Sequence, residues 1–180
     1  VSVIARFRPQ MLTKYAMHSH SVSVKNEWHR LQTYGFLHIN LVHLSVNMLT
    51  LSAFGKQAEM QFDKILGNKG PAAFVAFYLS ALLVSILPTM FIHRKNVQYQ
   101  ALGASGAVFA TMAFVMLHDP KVTMSLHNTQ VKGWMYVSFY LLYNLYMLSR
   151  GREALSHTSH VVGILYGFVI ATWLSRYGHY

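Results

Sequence analysis

Leu102-Gly103-Ala104-Ser105-Gly106-Ala107 opens an apolar segment with a hydroxyl nucleophile set between two glycines. A second segment opens in a similar way, at Ser159-His160-Val161-Val162-Gly163. A serine and a histidine that each head an apolar helix on the same membrane face are positioned to meet inside a bilayer.

The composition points to lipid. Apolar residues make up 53% of the 180 residues and charged ones 11%, against about 25% charge in an ordinary soluble domain. Fifteen Lys and Arg face five Asp and Glu, a formal charge of +10. A basic chain raises nucleic-acid binding as a class, but these charges form no stripe. They fall mainly between the apolar runs: Arg6, Arg8, Lys14, Lys25 and Arg30, then Lys56, Lys64 and Lys69, then Arg94 and Lys95, then Arg150 and Arg152. Such positions suit anionic headgroups, so the expected partner is membrane lipid and not nucleic acid. With no cysteine, disulfides and thiolate catalysis are excluded. The first apolar run, Val1 to Ala5, is too short for a secretory signal, and a chain starting at valine leaves room for residues upstream.

Hydropathy predicts an all-α, polytopic bundle with five visible spans. These are Thr33 to Gly55, Pro71 to Ile92, Gly103 to Leu117, Val131 to Leu148 and Thr158 to Leu174. About 20 apolar residues cross the hydrocarbon, which leaves the third and fifth short. Asp119-Pro120 is a stop signal for the third. Gly67-Asn68-Lys69-Gly70-Pro71 and Arg150-Gly151-Arg152 read as turns. The expected organisation is an interfacial basic arm and leading loop over residues 1–32, followed by a transmembrane core over 33–176.

If the spans alternate in direction, His38, His43, Ser105 and His160 fall on one side. Small residues recur beside both candidate partners: Gly103, Gly106 and Ala110 with the serine, Gly163 and Gly167 with the histidine. Small-xxx-small faces let two backbones approach closely in a membrane. Base activation needs the hydroxyl and imidazole within about 2.6–3.2 Å. His43 and Asn47 share a helical face and can aim donors at a developing oxyanion, with the Ser105 N–H as a third. His38 lies nine residues before Asn47, on roughly the opposite face, and is cast as support for the loop entering that helix. Phe109 is placed to stack on the imidazole.

No carboxylate completes a triad. Glu27, Glu59, Asp63, Asp119 and Glu153 all fall in expected loops or at helix ends, with only Glu153 near His160 in sequence. The serine chemistry on offer is therefore a dyad, whose expected cost is a slow enzyme. His18 with His20, and His157 with His160, have ligand-like spacing but no supporting Cys or carboxylate cluster, so neither a metal nor another cofactor is expected. A transporter would call for a buried acid or paired broken helices, and neither is visible.

Together, Leu37-His38-Ile39-Asn40-Leu41-Val42-His43-Leu44-Ser45-Val46-Asn47, Gly103-Ala104-Ser105-Gly106 and Ser159-His160-Val161-Val162-Gly163 followed by Gly167 resemble the rhomboid intramembrane serine proteases. The likeness extends from about Arg30 to Gly167 and is closest to the mitochondrial, presenilin-associated rhomboid-like branch. The stretch from Phe74 to Ser85, with Phe77-Tyr78, looks like that branch too. The resemblance implies a six-helix core with Ser105 as nucleophile, His160 as base, and His43 and Asn47 in the oxyanion hole. It also implies single-span membrane proteins as substrates and a multi-pass location in the mitochondrial inner membrane. Two departures stand out. The first core helix is not among residues 1–32, so it lies upstream or is lost. The family's Trp-Arg pair is interrupted, with His29 between Trp28 and Arg30. These departures keep open an alternative, a catalytically idle rhomboid-like subunit of a larger inner-membrane complex.

Overall fold

A computed structural model describes residues 3–4, 9–118, 121–126, 129–151 and 157–177. Several expected features lie outside the described residues: Arg6, Arg8, the Asp119-Pro120 stop, Arg152 and Glu153. The helices are α1 (Pro9–Tyr15), α2 (Ser19–Lys25), α3 (Arg30–Thr33), α4 (Leu41–Leu66), α5 (Gly70–Ile92), α6 (Ser105–His118), α7 (Gly133–Ser149) and α8 (His157–Tyr177). Three two-stranded pairs accompany them. β1 (Val3–Ile4) runs parallel to β3 (Leu37–His38), β2 (Met17–His18) runs antiparallel to β4 (Gln100–Ala101), and β5 (Thr123–Leu126) forms a hairpin with β6 (Thr129–Lys132).

Local chemistry sets the helix starts. Asn40 is extended, and its side-chain oxygen accepts the His43 N–H at 2.8 Å, capping α4. Pro71 occupies the first turn of α5, where its missing N–H costs nothing. Gly70 is required at that corner because a Cβ would meet the Asp63 backbone. α6 starts two residues after Gly103, whose φ of 115° suits glycine. The Gly103 N–H donates to the Tyr34 carbonyl at 3.1 Å, tying the loop before α6 to the segment before α4.

The core is organised around α6, which packs against α8 most extensively and also against α4, α5 and α7. Every residue from Thr111 to Met116 is buried. Phe62 of α4 stacks on Phe114 of α6 with ring centroids 4.6 Å apart, and Phe77 of α5 joins the cluster. The outer faces are apolar as well: Val42, Leu49, Phe139, Leu142 and Val169 are all more than 60% exposed. Faces of that kind belong against acyl chains, not water. The architecture is that of a multi-pass helical membrane protein.

The expectation of five spans is overturned. Among the described residues, two segments are long and apolar enough to cross a membrane, Leu41–Ile92 (α4 and α5 together) and His157–Arg176. The apolar helix Ser105–His118 has 14 residues, or about 21 Å at 1.5 Å per residue, short of the roughly 30 Å hydrocarbon layer. α7 has 17 residues, with polar groups at Ser138 and Asn144 and a row of tyrosines. The reason for the discrepancy is physical. The apolar character of α6 serves contact with other helices, and hydropathy cannot separate that from contact with lipid.

Candidate active site

Ser105 is the first residue of α6 and His160 lies in the first turn of α8. Their side chains meet, with Oγ 2.7 Å from Nε2. The approach is made possible by backbone contact between the two helices. A Cβ on Gly163 would run into the Gly106 carbonyl, and one on Gly167 into the Ala110 carbonyl. Gly106 has no room either, since its Cβ would meet the Ser85 hydroxyl of α5. A further hydrogen bond, Thr89 to Ser159 at 3.0 Å, ties α5 to the start of α8.

The pair borders a cavity of about 470 Å³, and His43, Asn47, Phe109 and Tyr140 line the same space. The Phe109 ring lies 4.9 Å from the His160 ring and 5.1 Å from Tyr140, forming one wall. Asn47 is buried on the face of α4 that carries His43, and its amide donates to the His43 carbonyl at 2.8 Å. The His43 ring fills the space that a Cβ at position 103 would occupy, 2.6 Å from His43 Cε1. His38 does not line the cavity. It is buried behind His43, ring centroids 5.0 Å apart, where burial and then the neighbouring His43 push its pKa down to about 4.

One site residue was missed by sequence reasoning. Asn144 is buried on α7 and its Oδ1 is 2.9 Å from His160 Nδ1 and 2.7 Å from His157 Nδ1. Its amide nitrogen donates to the Tyr140 carbonyl at 2.7 Å. The available signal was a lone amide in an aromatic-rich span, the kind of polar group that lipid makes costly. Glu153 lies outside the described residues. His157 and His160 share a carboxamide oxygen. His18 bonds Ser21 and the Val97 carbonyl. Among the described residues no cluster of three or more His, Asp or Glu side chains is placed to hold a metal.

The arrangement supplies a hydroxyl against an imidazole, donors across the cavity, and an apolar wall, which are the parts that acyl transfer requires. Comparison with known proteins places the chain in a family. A family model described as the rhomboid domain matches residues 25–177. Rhomboid protease GluP of Bacillus subtilis (strain 168) is 27% identical over 125 residues, 68% of this chain and 22% of that protein. Two proteins of Arabidopsis thaliana are similar: Rhomboid-like protein 11, chloroplastic, at 28% over 140 residues (78% of this chain, 43% of that protein), and RHOMBOID-like protein 4, at 29% over 158 residues (86% and 36%). The chain spans less than half the length of these curated relatives, and none of them singles out a mitochondrial branch. With the match running from before the buried Arg30 to the last described turn of α8, the chain belongs to the rhomboid family.

Proposed function

We propose that this chain is an intramembrane serine protease using Ser105 and His160 as a dyad. The observation that carries the reading is the 2.7 Å contact between Ser105 Oγ and His160 Nε2 at the edge of a cavity. In the first half-reaction, Ser105 Oγ adds to a peptide carbonyl while His160 Nε2 takes the hydroxyl proton. Collapse of the tetrahedral adduct breaks the C–N bond, and the imidazolium returns that proton to the leaving amine. His160 then deprotonates a water that attacks the acyl carbonyl, and the imidazolium returns that proton to Ser105 Oγ as the ester bond breaks. The oxyanion donors are the Ser105 N–H, which has no acceptor within the helix at the first turn, together with His43 and Asn47. The Asn47 amide spends one hydrogen on the His43 carbonyl and has a second to offer. Phe109 walls the imidazole, and Gly103, Gly106, Ala110, Gly163 and Gly167 allow the helix approach.

The substrates are single-span membrane proteins whose helix unwinds beside α4, where the apolar Ile39, Val42 and Val46 border the cavity. Residues 1–32 serve as the interfacial arm and 33–176 as the core. Similarity of the Phe74–Ser85 stretch supports the mitochondrial branch, and with it the inner mitochondrial membrane as location.

The test is labelling of the purified, folded protein by a serine-directed fluorophosphonate. Labelling that is lost in Ser105→Ala and in His160→Ala is expected. Failure of the folded wild-type chain to label would overturn the reading in favour of a catalytically idle subunit of a membrane complex.

A further inference from the structure

A serine hydroxyl is activated only if the imidazole nitrogen facing it carries a lone pair. A neutral histidine has two tautomers, so something must place its single proton on the other nitrogen. In this chain no described carboxylate reaches His160. Instead, the Nδ1 side is occupied by Asn144.

The orientation of the Asn144 amide follows from its surroundings. One end lies 2.7 Å from the Tyr140 carbonyl, which can only accept. Were the amide reversed, two oxygens would face each other at that distance. The nitrogen therefore points at Tyr140, and the oxygen points at both imidazoles. A carboxamide oxygen only accepts, so the Nδ1 atoms of His157 and His160 must both donate to it. With its proton on Nδ1, His160 presents a bare Nε2 to Ser105, 2.7 Å away. The chain of dependence runs from the Tyr140 carbonyl through the Asn144 amide to His160 and then to the serine.

We infer that Asn144 is a positioning residue that sets the tautomer of His160, doing with a neutral amide what a carboxylate does in a Ser-His-Asp triad. This rests on the protease reading for its consequence, but the tautomer itself is a property of the resting protein. Placement explains why an amide suffices. Tyr140 locks the group against flipping and His157 adds a second donor to the same oxygen. A buried carboxylate would instead bring a charge into an apolar helix interface, which is costly there.

The experiment uses the full chain in detergent micelles with ¹⁵N-labelled histidine, the His160 resonances being assigned by their loss in His160→Gln. Wild type is expected to show Nδ1 protonated and Nε2 unprotonated. In Asn144→Leu the population shifts towards the Nε2–H form. The maximal rate of fluorophosphonate labelling then falls by about 100-fold or more, in keeping with loss of general-base assistance, while the concentration giving half-maximal rate changes little. Asn144→Asp keeps an acceptor for Nδ1 but sets a second oxygen against the Tyr140 carbonyl, so it holds the Nδ1–H form and labels faster than Asn144→Leu, at a cost in thermal stability. A purely structural clamp between α7 and α8 would lower thermal stability in Asn144→Leu without moving the tautomer. Wild-type His160 protonated on Nε2 overturns the inference even if no variant folds, and so does an unchanged labelling rate in folded Asn144→Leu. A wild type that holds the Nδ1–H form through Asn144 but never labels leaves the tautomer assignment standing and removes the protease reading instead.

Discussion

Gly103 is where the position of Ser105 is decided. Its φ of 115° lies in a region that side chains rarely adopt, and a Cβ there would press on the His43 ring. One glycine thus turns the chain into α6 and leaves room for a cavity-lining imidazole. Behind it, His38 is held neutral, its pKa pushed down to about 4 by burial and then by His43. An unfolded histidine titrates near 6.5, so as pH falls the unfolded chain takes up this proton first. The stability contributed by His38 is complete above about pH 6.5, erodes on the way down, and is lost through about pH 4. Thermal unfolding followed between pH 7.5 and 4 is expected to show a smaller acid-side drop in His38→Gln than in wild type. Parallel curves for the two proteins would exclude the effect. At this scale, much of the site was legible. Ser105 and His160 announce themselves by heading apolar segments, and His43 and Asn47 by their four-residue spacing. Asn144 did not, because an isolated amide acquires meaning only from what faces it across the α7–α8 boundary.

Helix pairs obey a sharper rule than hydropathy. The glycines at 163 and 167 sit where the carbonyls of residues 106 and 110 press against α8, so added bulk has nowhere to go. Gly163→Val is expected to lower stability by about 1–3 kcal/mol through overpacking and to push His160 away from Ser105. Labelling should therefore fall out of proportion to the loss of fold. Gly55→Ala is the contrasting case: the new Cβ would meet Leu51 Cδ1 at an ordinary 3.4 Å, and replacing glycine inside a helix gains about 0.5–1 kcal/mol. Differential scanning of the two variants in one detergent makes the comparison, and a Gly163→Val as stable as Gly55→Ala would refute the backbone contact. Periodicity located these small-residue faces correctly in the sequence. Hydropathy miscounted spans because α6 is apolar on every side for the sake of its neighbours, leaving no polar face to mark it as interior.

The whole molecule has a tethered beginning and a plain far end. Arg30, buried, binds Glu27 through Nε and the carbonyls of Ala16 (2.9 Å) and Thr13 (2.8 Å) through its two terminal nitrogens. Thr33 adds a bond to the Tyr15 carbonyl at 2.8 Å. These bonds fold α1 back onto α3, an order that composition alone could not disclose for a stretch of mixed His, Ser, Lys and Arg. At the other extreme, the turn between α4 and α5 exposes Gly67, Asn68 and Lys69, at the end of α4 opposite to the one that lines the cavity. Since the chain has no thiol of its own, Asn68→Cys would create a single address on the side remote from Ser105. A maleimide too polar to permeate sealed vesicles is expected to modify it from one compartment alone, and equal modification from both would show mixed insertion. That small corner therefore doubles as a compass, reporting towards which compartment the cavity at the opposite pole opens.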